Sequence, residues 1–355
     1  MSKESNKRLV KNTLALYSRT FITLIVSLYT TRVILDVLGE TDYGIYSLVA
    51  GVVILFSFLN GALSYATERF LTVQLGKKNL QKMKQVFSMS MTTLFLLVII
   101  FIILSETLGL WFVNSELNIP ADRLWAANWT YQISIVTFCV TVLRTPYRAT
   151  IISNEKMSFF AYVSVFESII KLAIVFCLQL STYDKLVSYA ILFLMSTFLV
   201  NLIYFFYCKK KFSTTNYHIF WDKRLFIELT SFTGWNLLGN VTNIFTQNGV
   251  VFMVNIFYGV GLNASLGIAN QVNSAVTSFI SGFQTSFVPQ IVKLYSQSKT
   301  DELHKMINST SKFSFMLIAF PVLILMFNMP LILNLWLDVF ADAQNGSIAS
   351  TISGY

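Results

Sequence analysis

The sequence predicts an all-α integral membrane protein with two pseudo-symmetric helical lobes and a cytoplasmic N-terminus. The first observation is composition, since the 355 residues are 55% hydrophobic and 12% charged, with a mean hydropathy of +0.62. A soluble domain carries about 25% charged residues. The second observation is a series of long charge-free runs, and the third is the placement of lysine and arginine between those runs.

Nine segments are predicted to span the membrane, because each is a mainly apolar run of about 20 residues or more. They are approximately residues 12–36, 43–67, 86–113, 123–150, 158–182, 186–208, 226–258, 264–292 and 313–337. The seventh and eighth come from one charge-free run that is too long for a single helix. We place the break at residues 258–263, where two glycines and an asparagine favour a turn. Pro321 predicts a bend in the ninth segment.

Basic residues assign the two sides of the membrane. Most of the 26 lysines and arginines lie in the N-terminus and in every second loop, and this set includes Arg144 and Arg148 at the end of the fourth segment. The positive-inside rule therefore places that side in the cytoplasm. Because topology explains the net charge of +9, we do not predict nucleic acid as a partner.

The segments divide into two groups around a basic linker. The predicted organisation is a cytoplasmic N-terminus, an N-lobe of six helices, a basic cytoplasmic linker, a partial C-lobe of three helices and a polar tail, at residues 1–11, 12–208, 209–225, 226–337 and 338–355. An altered copy of residues 32–69 returns at 259–290. Such an echo predicts parallel repeats related by an axis along the membrane normal. A chance likeness of two amphipathic hairpins is the alternative.

Two stretches resemble a known family. They are SLYTTRVILDVLGETDYGIYSLVAGVVILFSFLNGALSYATERF, with Arg19 upstream, and GLNASLGIANQVNSAVTSFISGFQTSFVPQIVKLYSQ. Both resemble lobe openings of Wzx-type polysaccharide flippases of the multidrug/oligosaccharidyl-lipid/polysaccharide exporter superfamily, over about residues 8–337. The resemblance implies translocation of undecaprenyl-diphosphate-linked oligosaccharide across the bacterial inner membrane, in polysaccharide, lipopolysaccharide or O-antigen biosynthesis. It also implies coupling to H⁺ or Na⁺.

That family has two complete six-helix lobes. The present chain is predicted to have six helices, then three, then the polar segment ADAQNGSIASTISGY. We therefore expect a truncated or frameshifted product. An inactive membrane fragment or a scaffold is one alternative function. An ion-coupled multidrug exporter of the same fold is another, although it would need membrane carboxylates, and the seventh and eighth segments have none.

No catalytic constellation is found in the sequence, so we predict neither an enzyme nor a cofactor. The two histidines, His218 and His304, lie in different loops and cannot form a paired metal motif. The three cysteines have no metal-binding spacing.

Charged residues inside predicted spans are the first candidates for binding, because such residues normally face a cavity or a partner. Arg19 has no acid within four residues and suits a diphosphate as a cationic anchor. Glu167 and Lys171 have i,i+4 spacing, which allows mutual neutralisation. A functional role for both, with Lys171 on the substrate and Glu167 in ion coupling, is the open alternative. Arg32 and Asp36 have the same spacing and are interpreted as a structural pair.

Polar stripes supply the other candidates. Asn236, Asn240, Asn243 and Gln247 fall on one face of the seventh segment. The eighth segment contributes a second stripe that includes Asn270 and Gln284, and the second segment a third with Asn60 and Thr67. The amides predict a hydrated cavity that binds sugar hydroxyls. The alternative is hydrogen bonding between packed helices.

Overall fold

The computed structural model describes residues 3–54, 57–115, 117, 119–179, 183–239, 242, 273, 276–277, 281 and 284–341, and the regular structure within these residues is helical. Eight helices precede the linker: α1 Lys3–Ile54, α2 Ser57–Gly76, α3 Leu80–Leu104, α4 Leu110–Ser115, α5 Leu124–Leu143, α6 Thr145–Ser153, α7 Met157–Gln179 and α8 Lys185–Lys211. After the linker come the described parts of two helices, α9 (223–239) and α10 (284–296), and then α11, Thr300–Ala341.

Helix α1 consists of two helices that meet at Gly39. This glycine has φ 77° and ψ 167°, a backbone conformation that residues with a Cβ rarely adopt. The turn predicted between the first two spans is therefore present, as one left-handed residue rather than a loop. The first helix begins at Lys3, so the predicted cytoplasmic N-terminus is largely helical.

Among the residues that the structure describes, five helical segments are long and apolar enough to cross a membrane: Leu80–Ser115, Ala121–Ser153, Met157–Gln179, Lys185–Lys211 and Thr300–Met329. They lie over the predicted third, fourth, fifth, sixth and ninth segments. Most of the predicted seventh and eighth segments lies outside the described residues. The protein is thus a multi-pass, all-helical membrane protein.

The backbone of α11 leaves helical geometry at Asn328 (φ −120°, ψ 16°) and not at the predicted Pro321. Asn328 lies two residues before Pro330. A proline ring clashes with the carbonyl four residues earlier, here that of Met326, and Asn328 lies within this turn of the helix.

The N-lobe is held together by buried contacts at two depths. Near the predicted cytoplasmic side, Phe87, Tyr147 and Tyr204 pack in one cluster, and Tyr131 belongs to another nearer the outside. The hydroxyl of Tyr131 donates to the carbonyl of Ser105 (2.8 Å). Since lipid gives helices no hydrophobic reason to associate, such close packing and hydrogen bonding stabilises the lobe.

One arginine joins three outer segments of the N-lobe. Arg123 donates through Nε to Asp42 (2.8 Å) and through Nη1 to Asp184 (2.6 Å). Asp184 also caps α8, accepting from the amides of Leu186 and Val187. Burial opposes ionisation of Asp184, but the Arg123 guanidinium and these amides lower its pKa below the usual value.

We expect Arg123→Gln to lower the unfolding free energy by about 1 kcal/mol at pH 7, because the Arg123 pairs are partly exposed. A carboxyl whose pKa is lower in the folded than in the unfolded protein stabilises the fold above its unfolded-state pKa of about 3.9. This stabilisation is lost as the pH falls through the pKa of the folded state. The difference in stability between wild-type protein and the Arg123→Gln variant should therefore shrink below about pH 4. Thermal unfolding of both proteins in detergent at several pH values measures this difference. The exposed Arg224→Gln is the control, and an advantage that persists at pH 3 would contradict the ionic explanation.

Candidate functional site

A carboxylate on α7 binds two basic side chains. Oε1 of Glu167 lies 3.0 Å from Lys171 Nζ, and its Oε2 accepts from Arg144 Nη1 at 3.2 Å. The structure confirms the contact predicted from i,i+4 spacing. It adds Arg144, which lies at the junction of α5 and α6. The carboxylate is mostly buried, with 19% of its side chain exposed, so its charge is offset by two cations.

Arg19 lies one layer nearer the predicted cytoplasmic side. Its guanidinium carbon is 4.5 Å from the ring centroid of Phe160, and that of Arg148 is 5.2 Å from the same ring. Stacking on an aromatic face stabilises an arginine without neutralising it. The Nε atom of Arg19 is buried and has no hydrogen-bond partner in the described structure. Arg19 also lies within electrostatic range of Glu167 and Tyr204.

These residues form a group with excess positive charge, which we call the cation cluster: Arg19, Arg144, Arg148 and Lys171. The acidic groups that interact with it in the described structure are Glu167 and, through Arg148, Glu68 of α2. Four cations thus face two carboxylates. Because uncompensated charge within a membrane is costly, this arrangement favours binding of an anion.

One member of the cation cluster, Lys171, lines a cavity of about 530 Å³ between α1, α7 and α8. Its wall includes Lys171, Tyr189 and hydroxyl groups from Thr20, Thr23, Ser27, Thr30 and Ser168. The hydroxyls of Thr20 and Thr30 donate to backbone carbonyls one turn earlier, at 2.9 and 2.6 Å. Their oxygens retain acceptor capacity toward a ligand. The volume falls within the usual range for a ligand pocket.

Two members of the cluster were not predicted as site residues. The sequence assigns Arg144 and Arg148 to the cytoplasmic cations, because they follow the apolar part of the fourth segment. The structure continues the segment through α6, where Pro146 occupies the first turn, and this places both arginines against α7. In the sequence, Arg144 and Arg148 are four residues apart on either side of Pro146. This spacing indicates that both side chains lie on one helical face.

Most of the amide stripe predicted in the seventh segment lies outside the described residues. Asn236 donates to the carbonyl of Phe232 at 2.8 Å, and Gln284 is exposed. The predicted site residues Asn240, Asn243, Gln247 and Asn270 lie outside the described residues, as does the side chain of Arg32. In the stripe of the second segment, Asn60 accepts from the hydroxyl of Thr145 (2.7 Å). This contact is of the kind given as the alternative, a hydrogen bond between packed helices.

The two lobes meet at their predicted cytoplasmic ends. Gln290 of α10 donates to the carboxylate of Glu155 at 3.1 Å, in a buried contact. Glu155 lies in the α6–α7 turn with φ 58°. A second contact joins Gln297 to the carbonyl of Gly76 (3.1 Å), and Ser296 packs directly against Gly76. The described parts of the two lobes are therefore in contact on this side.

The chain matches a family model and is similar in fold to solved transporter structures. A family model described as polysaccharide biosynthesis protein matches residues 9–295. A crystal structure of a MATE mutant has a TM-score of 0.79 at 14% identity, covering 93% of this chain and 74% of that chain.

An outward-facing multidrug resistance MATE family transporter of the MOP superfamily has a TM-score of 0.77 at 13% identity, with 98% and 77% coverage. A MOP superfamily transporter from Pyrococcus furiosus, described as having a binding pocket of reverse polarity, gives 0.73 at 13% identity, with 98% and 76% coverage. These likenesses show a shared fold. No curated protein matches.

Proposed function

Because the chain belongs to the polysaccharide biosynthesis protein family and has a MATE transporter fold, we propose that this membrane transporter is a flippase for undecaprenyl-diphosphate-linked oligosaccharide. It would act in the bacterial inner membrane, in the synthesis of a surface polysaccharide such as O-antigen. The proposal rests on the cation cluster, whose member Lys171 lines a cavity with several hydroxyl groups in its wall.

The chemistry of the site suits both parts of such a headgroup. A diphosphate is an anion with several acceptor oxygens, and arginine can bind two of them at once through its planar fork. Sugar hydroxyls both donate and accept hydrogen bonds, as do the threonine and serine hydroxyls of the cavity wall. The lipid tail would remain in the surrounding membrane.

The cations follow the axis of α7. Phe160, which carries the two stacked arginines, precedes Glu167 by seven residues and Lys171 by eleven. At 1.5 Å per residue the distance from Phe160 to Lys171 is about 16 Å, roughly half the hydrocarbon thickness. An anion could therefore pass from Arg19 and Arg148 to Lys171 while staying close to a cation.

Glu167 is the proposed ion-coupling residue. In the structure it binds Arg144 and Lys171, so it occupies two cations that a diphosphate would need. Protonation of this carboxylate would release both cations for the substrate, which would link H⁺ binding to anion binding. An Na⁺ ion at the carboxylate would compete with the same two side chains.

An ion-coupled multidrug exporter is the second candidate, because one similar structure is a multidrug resistance transporter. An exporter of organic cations needs an available carboxylate. The carboxylate of Glu167 is already paired with two cations, so the described site favours an anion.

A binding experiment tests the class of substrate. We expect farnesyl diphosphate, as a short prenyl diphosphate, to raise the melting temperature of the purified full chain. Tetraphenylphosphonium, a lipophilic cation, should not. The double variant Lys171→Gln/Arg144→Gln should raise the diphosphate concentration needed for this stabilisation more than about a hundredfold, because each of the two lost hydrogen bonds to a charged group contributes about 1.5–3 kcal/mol. Stabilisation by the cation alone would instead support the exporter.

A further inference from the structure

A second cavity in the N-lobe shares no lining residue with the cavity beside Lys171. It is an open groove of about 290 Å³ between α3, the α5–α6 junction and α8, lined by Met91, Phe95, Leu143, Tyr147, Asn201, Leu202 and Phe205. Phe95 and Leu202 are 42% and 38% exposed. The one amide in the wall, Asn201, donates to the carbonyl of Val140 (3.4 Å), so the groove presents a mainly apolar surface.

Three consecutive lysines stand at the cytoplasmic end of this groove. Lys209, Lys210 and Lys211 form the last turn of α8, and all three are exposed. The Nζ atom of Lys209 lies 5.6 Å from the ring centroid of Phe205, which lines the groove. From Phe205 to Lys209 the helix rises about 6 Å, so the cations lie one turn beyond the apolar wall.

The linker that follows α8 borders the same groove. Residues 212–222 turn back along α3, where His218 Nδ1 lies 2.9 Å from Ser88 Oγ. The hydroxyl of Tyr217 lies 3.3 Å from that of Thr92, and its ring contacts the ring of Phe95 edge-on. Ile219 is 91% exposed, next in sequence to these anchored residues. Tyr217 is of the residue type that is enriched at membrane–water interfaces.

We propose that this groove binds one acyl chain of an anionic phospholipid from the cytoplasmic leaflet, with the lipid phosphate at Lys209, Lys210 and Lys211. The apolar wall matches the chain, and the three cations match the headgroup charge. Basic residues beside the cytoplasmic end of a spanning helix attract anionic lipids. The site is independent of the proposed function, because it shares no residue with the cation cluster or with the cavity beside Lys171.

Native mass spectrometry of the full chain in detergent tests the headgroup. Wild-type protein should retain phosphatidylglycerol in preference to phosphatidylcholine of the same chains. The triple variant Lys209→Gln/Lys210→Gln/Lys211→Gln should retain phosphatidylglycerol roughly a hundredfold more weakly, because each basic residue near an anionic lipid contributes about fivefold. The matched control is Lys77→Gln/Lys78→Gln/Lys82→Gln, which removes three exposed lysines elsewhere on the cytoplasmic side. This control should keep the preference.

A second variant tests the groove itself. Leu202→Trp fills the apolar groove and leaves the lysines in place. Dihexanoyl phosphatidylglycerol has the same headgroup but short acyl chains, so it serves as the reference. The variant should retain long-chain phosphatidylglycerol no better than this short-chain lipid. Equal retention of the two headgroups by wild-type protein would overturn the proposal, as would an equal loss in the control triple variant. Displacement of phosphatidylglycerol by an equimolar amount of undecaprenyl phosphate would also overturn it, since the groove would then be a site for a polyprenyl chain.

Discussion

Replacing Arg19 with alanine is expected to abolish polysaccharide surface display in cells that depend on this protein, while leaving tolerance to cationic drugs unchanged. Arg19 stacks on Phe160, its Nε has no hydrogen-bond partner in the described structure, and the cluster around it has more cations than acids. A diphosphate there would gain charge-assisted hydrogen bonds worth about 1.5–3 kcal/mol each. Losing two of them lowers binding more than about a hundredfold.

The measurement is surface polysaccharide in a strain whose only flippase is the variant, with protein level in the membrane as the check on folding. Arg19→Lys is the matched control. It keeps the charge but loses the planar fork, so it should retain partial display. Full display with Arg19→Ala would show that the cation cluster is not the substrate site. Loss of drug tolerance with normal display would favour the exporter.

A disulfide between positions 76 and 296 should stop transport completely and reversibly. Gly76 at the end of α2 lies directly against Ser296 of α10, and a Cβ built on Gly76 is 3.1 Å from that of Ser296. A disulfide needs a Cβ separation of about 3.5–4.5 Å, so a small adjustment allows Gly76→Cys/Ser296→Cys to form the bond. The bond would hold the cytoplasmic ends of the lobes together, and inward opening requires their separation.

The experiment starts from a variant in which Cys139, Cys177 and Cys208 are replaced by alanine. A mild oxidant should cross-link the double variant and stop polysaccharide display, and a reductant should restore it. Each single cysteine variant, treated with the same oxidant, controls for modification of the thiol. Continued transport with the bond intact would mean that the lobes do not separate at this contact during the cycle.

Local spacing in the sequence correctly predicted one contact of the candidate site. Glu167 and Lys171 are four residues apart on one helix, and helical geometry alone brings them together. The partner Arg144 is 23 residues from Glu167, and only the return of the chain through α6 and α7 places them 3.2 Å apart. No periodicity within one helix could indicate that pair.

The charged residues around Gly39 also include one whose partner cannot be found from local spacing in the sequence. In the sequence, Asp42 lies between the first two predicted segments and has no basic residue three or four positions away. In the structure Asp42 shares Arg123 with Asp184, although Arg123 is 81 and 61 residues away from them. The sequence indicated where the chain turns, and the packing of three outer segments decided what the charges bind.

Membrane insertion and helix formation were determined by the sequence alone, because the length of an apolar run and the satisfaction of backbone hydrogen bonds in lipid are properties of each segment. The distribution of basic residues likewise determined the predicted orientation. Tertiary structure decided which intramembrane charges form one cluster, which hydroxyls line its cavity, and which ends of the lobes touch. Those contacts join residues far apart in the chain, and they depend on how whole helices pack.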